Sequence, residues 1–227
     1  MHKKRKSEAE IRTFYRIKGW SILILIHVLP IILFAQSNFS LVNDPAIFKK
    51  KLSIESKKIT TISSNFIQEK NLDVLSEMII SRGHFYFKKE KKLRWEYLQP
   101  FSYLIIFQND KIMIKDENKK NTFDANANKM FGEINRIMIG CVQGTLLEDE
   151  KNYQTQYFEN NSTFLVKLHP LSPALKEILK EIWIYFSKAD FTVTRLEMHE
   201  SSGDYTKIDF TDKKLNDPVP DEKFSFN

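Results

Sequence analysis

Few side chains suited to catalysis or metal binding occur in this sequence, and their spacing favours neither. His84 and His169 have no neighbouring residues that predict a catalytic triad. His199 is followed by Glu200 and Asp204, a spacing that could hold a metal ion. Residues with this spacing more often lie at a solvated strand end than in a metal site. We therefore expect no enzyme activity and no cofactor.

The lone cysteine, Cys141, favours a structural role. It shares one face of a predicted helix with apolar residues, where a buried and inert thiol is commoner than a nucleophile. A single cysteine also excludes an intramolecular disulfide, so the stability of the domain must come from its core. The Gly-x-Ser-x-Gly, phosphate-loop, His-Glu-x-x-His and Cys-x-x-Cys motifs are absent from the sequence.

The net charge of +6 is concentrated at the N-terminus. Residues 1–35 contain seven Lys and Arg but only two Glu, a net charge of +5, so the remaining chain carries about +1. A nearly neutral body has no electrostatic attraction to phosphate backbones, and we expect no nucleic-acid partner.

The basic N-terminal stretch precedes an apolar run that starts at Trp20 and is followed by Ala35. This order predicts a signal peptide over residues 1–35, with residues 36–227 as a single exported domain located in the periplasm. The alternative is an uncleaved membrane anchor. The run is about 15 residues long and contains His27 and Pro30, which is short for a span of roughly 20 residues.

Most of the exported part alternates with a period of two, which predicts an antiparallel β-sheet. About ten segments have this character: 64–70, 83–88, 93–97, 103–107, 111–115, 153–158, 163–168, 182–186, 191–198 and 205–210.

Three segments have the helical period instead. Asp44 and Pro45 predict the start of an amphipathic helix, and Ser172 predicts the start of a short helical insert. Between them, one apolar helix face combines six residues: Met130, Phe131, Ile134, Ile137, Met138 and Cys141.

Several strands are apolar on both faces, for example around Phe85, Tyr86 and Phe87. A sheet with one wet face would show a polar residue at every second position. Two interpretations remain open. The first is a sandwich with a double core, and the second is an unclosed barrel that encloses an apolar cavity and is covered by helices acting as a lid.

Four short motifs in order resemble the LolA family of periplasmic lipoprotein carriers. They are Phe66-Ile67-Gln68, Gly83-His84-Phe85-Tyr86-Phe87, the segment from Leu93-Arg94-Trp95 to Pro100, and Phe224-Ser225-Phe226. The resemblance implies a mainly β fold with α, an unclosed antiparallel half-barrel under a helical lid. It also implies a hydrophobic cavity that takes lipoprotein acyl chains from an inner-membrane ABC exporter to an outer-membrane acceptor.

The resemblance assigns candidate residues to this cavity and its lid. Lys89 stands where the family usually has an arginine that holds the lid closed, so lid control is expected from Lys89 or from Arg94. The candidates for acyl-chain contact are Phe85, Phe87, Trp95, Tyr97, Ile105 and Phe107 on the sheet and Met130, Phe131, Ile134 and Met138 on the lid.

Two other functions remain open at this point. The first is an envelope module of the same fold that senses lipid or binds a membrane protein without transferring cargo. The second is a periplasmic hydrolase using His84 or His199, which the sequence favours least. We expect a monomeric carrier.

Overall fold

The computed structural model describes residues 39–73, 77–89, 91–108, 111–116, 119–124 and 129–225. The side chains of residues 129–132 and 134 lie outside this description, as do the predicted signal peptide, residues 1–35, and Phe226 of the C-terminal motif. Residues Phe39–Asn227 form one compact unit. Among the described residues, no helix is both long enough and apolar enough to cross a membrane.

The first helix, α1 (Pro45–Lys58), begins where the sequence predicts it. The Asp44 carboxylate accepts hydrogen bonds from the backbone N–H groups of Ala46 at 2.9 Å and of Ile47 at 3.4 Å. Pro45 occupies the first helical position, where its missing N–H leaves no hydrogen bond unmade. Phe48 is buried on one face of the helix, so α1 packs on the core.

Twelve strands form a single antiparallel sheet within the described residues. They are β1 (Ser40–Leu41), β2 (Thr61–Leu72), β3 (Glu77–Lys88), β4 (Lys92–Gln99), β5 (Tyr103–Gln108), β6 (Lys111–Lys115), β7 (Lys120–Asp124), β8 (Tyr153–Glu159), β9 (Thr163–Pro170), β10 (Leu179–Ser187), β11 (Val193–Glu200) and β12 (Tyr205–Leu215). Their order is β1-β8-β9-β10-β11-β12-β2-β3-β4-β5-β6-β7.

This sheet is not closed into a barrel, and the expected fold class of an open half-barrel with a helical cover is confirmed. The strands β1 and β7 stand at its two ends, and the sequence analysis missed both of them. Strand β1 is only two residues long, and strand β7 (Lys-Asn-Thr-Phe-Asp) is polar at four of its five positions. Neither therefore shows the apolar alternation that reveals a strand.

Two further helices follow in the chain, α2 (Lys129–Gln143) and α3 (Pro173–Lys176), with Ser172 capping α3 as predicted. On α2, Ile137, Met138 and Cys141 are buried in the same core cluster as the inner residues of the sheet. The helix α2 therefore covers the concave face of the sheet.

The two apolar faces of β3 to β6 have different covers. Phe85, Phe87 and Trp95 face the concave core. On the convex face, Ile106 and Met113 are buried against Val219 and Phe224 from the C-terminal segment.

Polar contacts hold this C-terminal segment in place. Lys88 Nζ donates to the Val219 carbonyl at 3.1 Å, and Arg94 donates to the Lys223 carbonyl at 3.0 Å. The second apolar face thus contacts the end of the chain, and no second sheet is needed to bury it.

Gly83 generates a prediction about stability. An added Cβ would lie 1.9 Å from the Glu96 carbonyl oxygen and 2.9 Å from Phe66 Cε1, and neither neighbour can move freely inside the sheet. We expect Gly83→Ala to lower the free energy of unfolding by about 2–3 kcal/mol, as overpacking does. Urea unfolding measures this, with the exposed neighbour Arg82→Ala as the control. Equal stability of the Gly83→Ala variant and the wild type would refute the close approach.

The environment of Cys141 generates a second prediction. The side chain is 3% exposed, and burial raises the pKa of its thiol. We expect no reaction with Ellman's reagent at pH 8 in the native protein, and reaction of one thiol once guanidinium unfolds it. A native thiol that reacts as fast as the unfolded one would contradict the buried position.

Candidate functional site

A cavity of about 250 Å³ lies between the concave face of the sheet and α2. Its wall is mostly apolar, with polar groups contributed by β2, β11, β12 and α2. The lining residues are Gln68, Lys70, Trp95, Tyr97, Ile105, Phe107, Glu133, Ile137, Leu175, Ile178, Leu179, Met198, Glu200, Thr206 and Ile208. We call this space the main cavity.

Four of the six sheet residues proposed from sequence line the main cavity: Trp95, Tyr97, Ile105 and Phe107. Strands β4 and β5 bring them together because Trp95 stands directly opposite Ile105 in the antiparallel register. Alternation then puts Tyr97 and Phe107 on the same face. One strand pair therefore supplies a continuous apolar wall.

The other proposed residues lie deeper in the core or outside the description. Phe85 and Met138 line a second cavity of about 30 Å³, which we call the inner cavity. Phe87 is 1% exposed within the packed core. Met130, Phe131 and Ile134 belong to α2, but their side chains are not among the described ones.

Among the described residues, the hydrogen bonds of Arg94, one of the two residues proposed for lid control, go to Glu96 and Lys223 and not to α2. The side chain of Lys89 is exposed at the turn after β3. Arg94 lies on the convex face, where it donates to Glu96 at 2.9 Å and to the Lys223 carbonyl. The hydrogen bond from Arg94 to the Glu96 carboxylate is the largest of the causes that lower the pKa of Glu96. Arg94 thus holds the C-terminal segment.

A polar cluster that the sequence analysis missed fastens α2 to the sheet. Arg136 donates to Glu133 on its own helix at 3.0 Å, to the Tyr153 hydroxyl of β8 at 2.9 Å, and to Asp149. The Tyr153 hydroxyl donates in turn to Glu133. We call Glu133, Arg136, Asp149 and Tyr153 the Arg136 cluster.

The members of the Arg136 cluster differ in exposure, since the Arg136 side chain is 36% exposed whereas Tyr153 is buried. Tyr153 is 1% exposed, and burial raises the pKa of its phenol, with the Glu133 hydrogen bond as the next cause. The phenol therefore remains a donor at neutral pH. Only the i, i+3 spacing of Glu133 and Arg136 was visible in the sequence, since Asp149 and Tyr153 follow outside the helix.

The end of the main cavity near α3 is polar. Lys70 and Glu200 form an ion pair at 3.3 Å, and the Tyr97 hydroxyl donates to Gln68 at 2.9 Å. Burial raises the pKa of Tyr97, so this hydroxyl also stays protonated. The cavity thus combines an apolar wall with a polar end, an arrangement suited to an amphiphilic ligand.

Comparison with known proteins agrees with this architecture. The model of the family described as "Outer membrane lipoprotein carrier protein LolA" matches residues 57–227. A protein from Legionella pneumophila (strain Lens), described as an outer-membrane lipoprotein carrier protein, is 24% identical over 172 residues, which cover 74% of this chain and 80% of the relative.

Two solved structures are similar to this chain at low sequence identity. The crystal structure of a LolA superfamily protein from Nitrosomonas europaea has a TM-score of 0.42 at 12% identity, with coverage of 78% of this chain and 97% of that one. The crystal structure of MucB has a TM-score of 0.50 at 9% identity, with coverage of 80% and 62% respectively. Because the family model matches most of the sequence, the chain belongs to the LolA family of outer membrane lipoprotein carrier proteins.

Proposed function

We propose that this protein binds the acyl chains of lipoproteins in the main cavity and carries them through the periplasm. An inner-membrane ABC exporter supplies the cargo, and an outer-membrane acceptor receives it. The observation that carries the proposal is a mostly apolar space of about 250 Å³ between the open sheet and the helix α2. The description of the Legionella relative as a carrier supports the same function.

The physical need for such a carrier follows from the cargo. Burial of an acyl chain of about 16 carbons gains on the order of 10 kcal/mol, at about 0.8 kcal/mol per CH₂. A lipoprotein therefore leaves a membrane only when another apolar surface takes over the chain. In this protein the chain would contact Trp95, Tyr97, Ile105 and Phe107, with Phe85, Phe87 and Met138 at the packed base and Met130, Phe131 and Ile134 on the lid.

Loading requires α2 to move away from the sheet. A volume of about 250 Å³ lies below the roughly 300–1,000 Å³ typical of small-molecule pockets, and lipoprotein cargo is larger than such ligands. The Arg136 cluster opposes this movement, because opening separates Arg136 from Tyr153 and Asp149. A cluster that is close to the surface can exchange its bonds for water, so the lid stays closed without being locked.

The first prediction from this proposal concerns the cavity wall. Ile105→Glu places a carboxylate among the apolar lining residues, where an unpaired charge is costly. We expect the affinity for a fluorescently labelled palmitoylated peptide to fall at least about tenfold, measured by anisotropy on the exported domain. Leu98→Glu is the matched control, since Leu98 is 50% exposed on the adjacent strand β4.

Two results would overturn the carrier proposal. One is a wild-type protein that takes up no palmitoylated peptide. The other is an Ile105→Glu variant that retains wild-type affinity while its far-ultraviolet circular dichroism shows an intact sheet. A variant that fails to fold is replaced by Ile105→Trp, which fills the cavity without adding charge.

The second prediction concerns the lid. Tyr153→Phe removes the hydroxyl that links Glu133 to Arg136, so we expect faster uptake of the palmitoylated peptide in stopped-flow fluorescence. The free energy of unfolding should fall by about 1–3 kcal/mol, since buried partners lose a hydrogen bond. Tyr86→Phe on the convex face is the control. An unchanged uptake rate in Tyr153→Phe would show that the cluster does not restrain the lid.

A second candidate function is docking to an envelope protein without lipid transfer. Large apolar side chains are exposed within a few residues of the Arg82–Gln99 pair that joins β3 to β4. They are Met78, Ile79, Ile80, Leu98 and Phe101. Phe101 is 75% exposed, and clustered apolar residues of this kind are typical of interaction surfaces. If the protein only docks to an envelope protein, the Ile105→Glu variant should still bind that partner. This result separates the docking function from the carrier function.

A further inference from the structure

A lysine in an unusual setting lies at the opposite end of the interior from the Lys70–Glu200 ion pair. Lys213 lines the inner cavity together with the rings of Phe85 and Phe210 and the thiol of Cys141. Within the described part of the chain, no carboxylate approaches Lys213 closely enough to form an ion pair. Burial lowers the pKa of its ammonium group, and nearby Asp190 offsets this only in part.

A bulge in β12 is the reason that Lys213 points inward. Thr211 pairs with Asn65, and Lys214 pairs with Ser63, so β12 has one residue more than β2 across this step. Asp212 takes up the extra length with a φ of 51°. Its carboxylate accepts from Asn65 Nδ2 at 2.8 Å, and the next side chain, Lys213, reaches the inner cavity. Bulges often re-aim one side chain at a functional site in this way.

The ammonium group of Lys213 has donor capacity left for a ligand. It donates to Thr192 Oγ1 and to the Val193 carbonyl, the latter at 3.2 Å. Thr192 Oγ1 itself donates to Asp190 at 2.7 Å. An ammonium group has three N–H donors, and these contacts use two of them.

Ser64 adds a second, independent donor to the same cavity. Its side chain is 6% exposed, and its hydroxyl has no hydrogen-bond partner among the described residues. Ser64 lines the inner cavity as Lys213 does. Buried hydroxyls are nearly always hydrogen-bonded, so a hydroxyl without a partner beside a partly buried cation indicates a place for an acceptor with negative charge.

The inner cavity and the main cavity follow one another along β2. Ile62 and Ser64 line the inner cavity, and Gln68 and Lys70 line the main cavity. The distance from Ser64 to Lys70 along the strand is about 20 Å, from six residues at about 3.3 Å each. That length matches an extended aliphatic tail.

Three aromatic rings in mutual contact line the two cavities, with Phe85 and Phe210 at the inner cavity and Trp95 at the main cavity. The centroid of Phe85 lies 5.3 Å from that of Trp95 and 5.5 Å from that of Phe210. The Trp95 and Phe210 centroids are 6.1 Å apart. A tail that enters beside Lys213 reaches the main cavity when these rings turn aside.

We infer that Lys213 and Ser64 form a carboxylate site for single-chain fatty acids. The ammonium and the hydroxyl hold the carboxylate, and the tail extends past the three rings toward the main cavity. This site goes beyond the proposed lipoprotein function, because it selects a free acid by charge from the end opposite the Lys70–Glu200 pair.

The test compares palmitate with its uncharged methyl ester by calorimetry, using the exported domain. We expect wild type to bind palmitate at least about tenfold more tightly than the ester, since charge-assisted hydrogen bonds are the strong ones. Lys213→Met should remove this preference and leave ester binding unchanged. Lys214→Met, which alters the exposed neighbour of Lys213, is the matched control and should retain the preference.

Several results would overturn the carboxylate site. These are a wild type without preference for palmitate, a Lys213→Met variant that keeps the preference, or equal losses in both lysine variants. The Lys213→Met variant should fold, because a thioether replaces a partly desolvated ammonium group. Ser64→Ala provides a second variant and should weaken palmitate binding but not ester binding.

The palmitoylated peptide separates this inference from the carrier proposal. If the wild type binds the peptide but binds palmitate and its methyl ester equally well, the carrier proposal stands and the carboxylate site is refuted. If the wild type prefers palmitate to the methyl ester but takes up no peptide, the carboxylate site stands and the carrier proposal is refuted.

Discussion

The antiparallel pairing of β2 with β12 joins a strand from early in the domain's sequence to a strand from late in it, for example at Phe66 and Phe210. Without it, the strands β3 to β7 and the strands β8 to β11 would be two separate sheets. Their junction supplies residues to both cavities, with Gln68 and Ile208 in the main cavity and Ser64 and Lys213 in the inner one. The interior therefore depends on contacts between residues that are distant in the chain.

An open sheet of this kind cannot bury its concave face alone, because its two ends do not meet. The helix α2 supplies the missing apolar contact through Ile137 and Met138, and the Arg136 cluster supplies a polar one. Apolar burial is non-directional, whereas the hydrogen bonds between Arg136 and Tyr153 specify one position of the helix. The apolar and polar contacts together therefore specify one position of α2 on the sheet.

The apolar convex face of the sheet is buried in a different way. Val219 and Phe224 bury Ile106 and Met113, and lysines on β3 and β4 bind the backbone and side chains of this segment. The cover here is a segment held along its length by charge-assisted hydrogen bonds. The two faces of the sheet thus differ in what packs on them, since both faces are apolar.

Most of the local structure could be predicted from patterns within short segments of the sequence. Period-two alternation predicted ten of the twelve strands in the described part of the chain, and the capping signals at Asp44 and Ser172 predicted two helix starts. The burial of Cys141 also followed from the helical period. These features depend on neighbouring residues only, which is why a pattern within one segment is enough to reveal them.

Tertiary contacts set which face of the sheet is concave, where Arg94 points and which residues fasten α2 to the sheet. Both faces of β3 to β5 are apolar, so alternation could not separate Trp95 and Ile105 from Ile106. The bonds from Arg136 to Tyr153, and the bulge that turns Lys213 inward, depend on strands and helices meeting across the fold. The physical reason is that a strand's sequence sets its alternation, whereas its partners set its register and its surroundings.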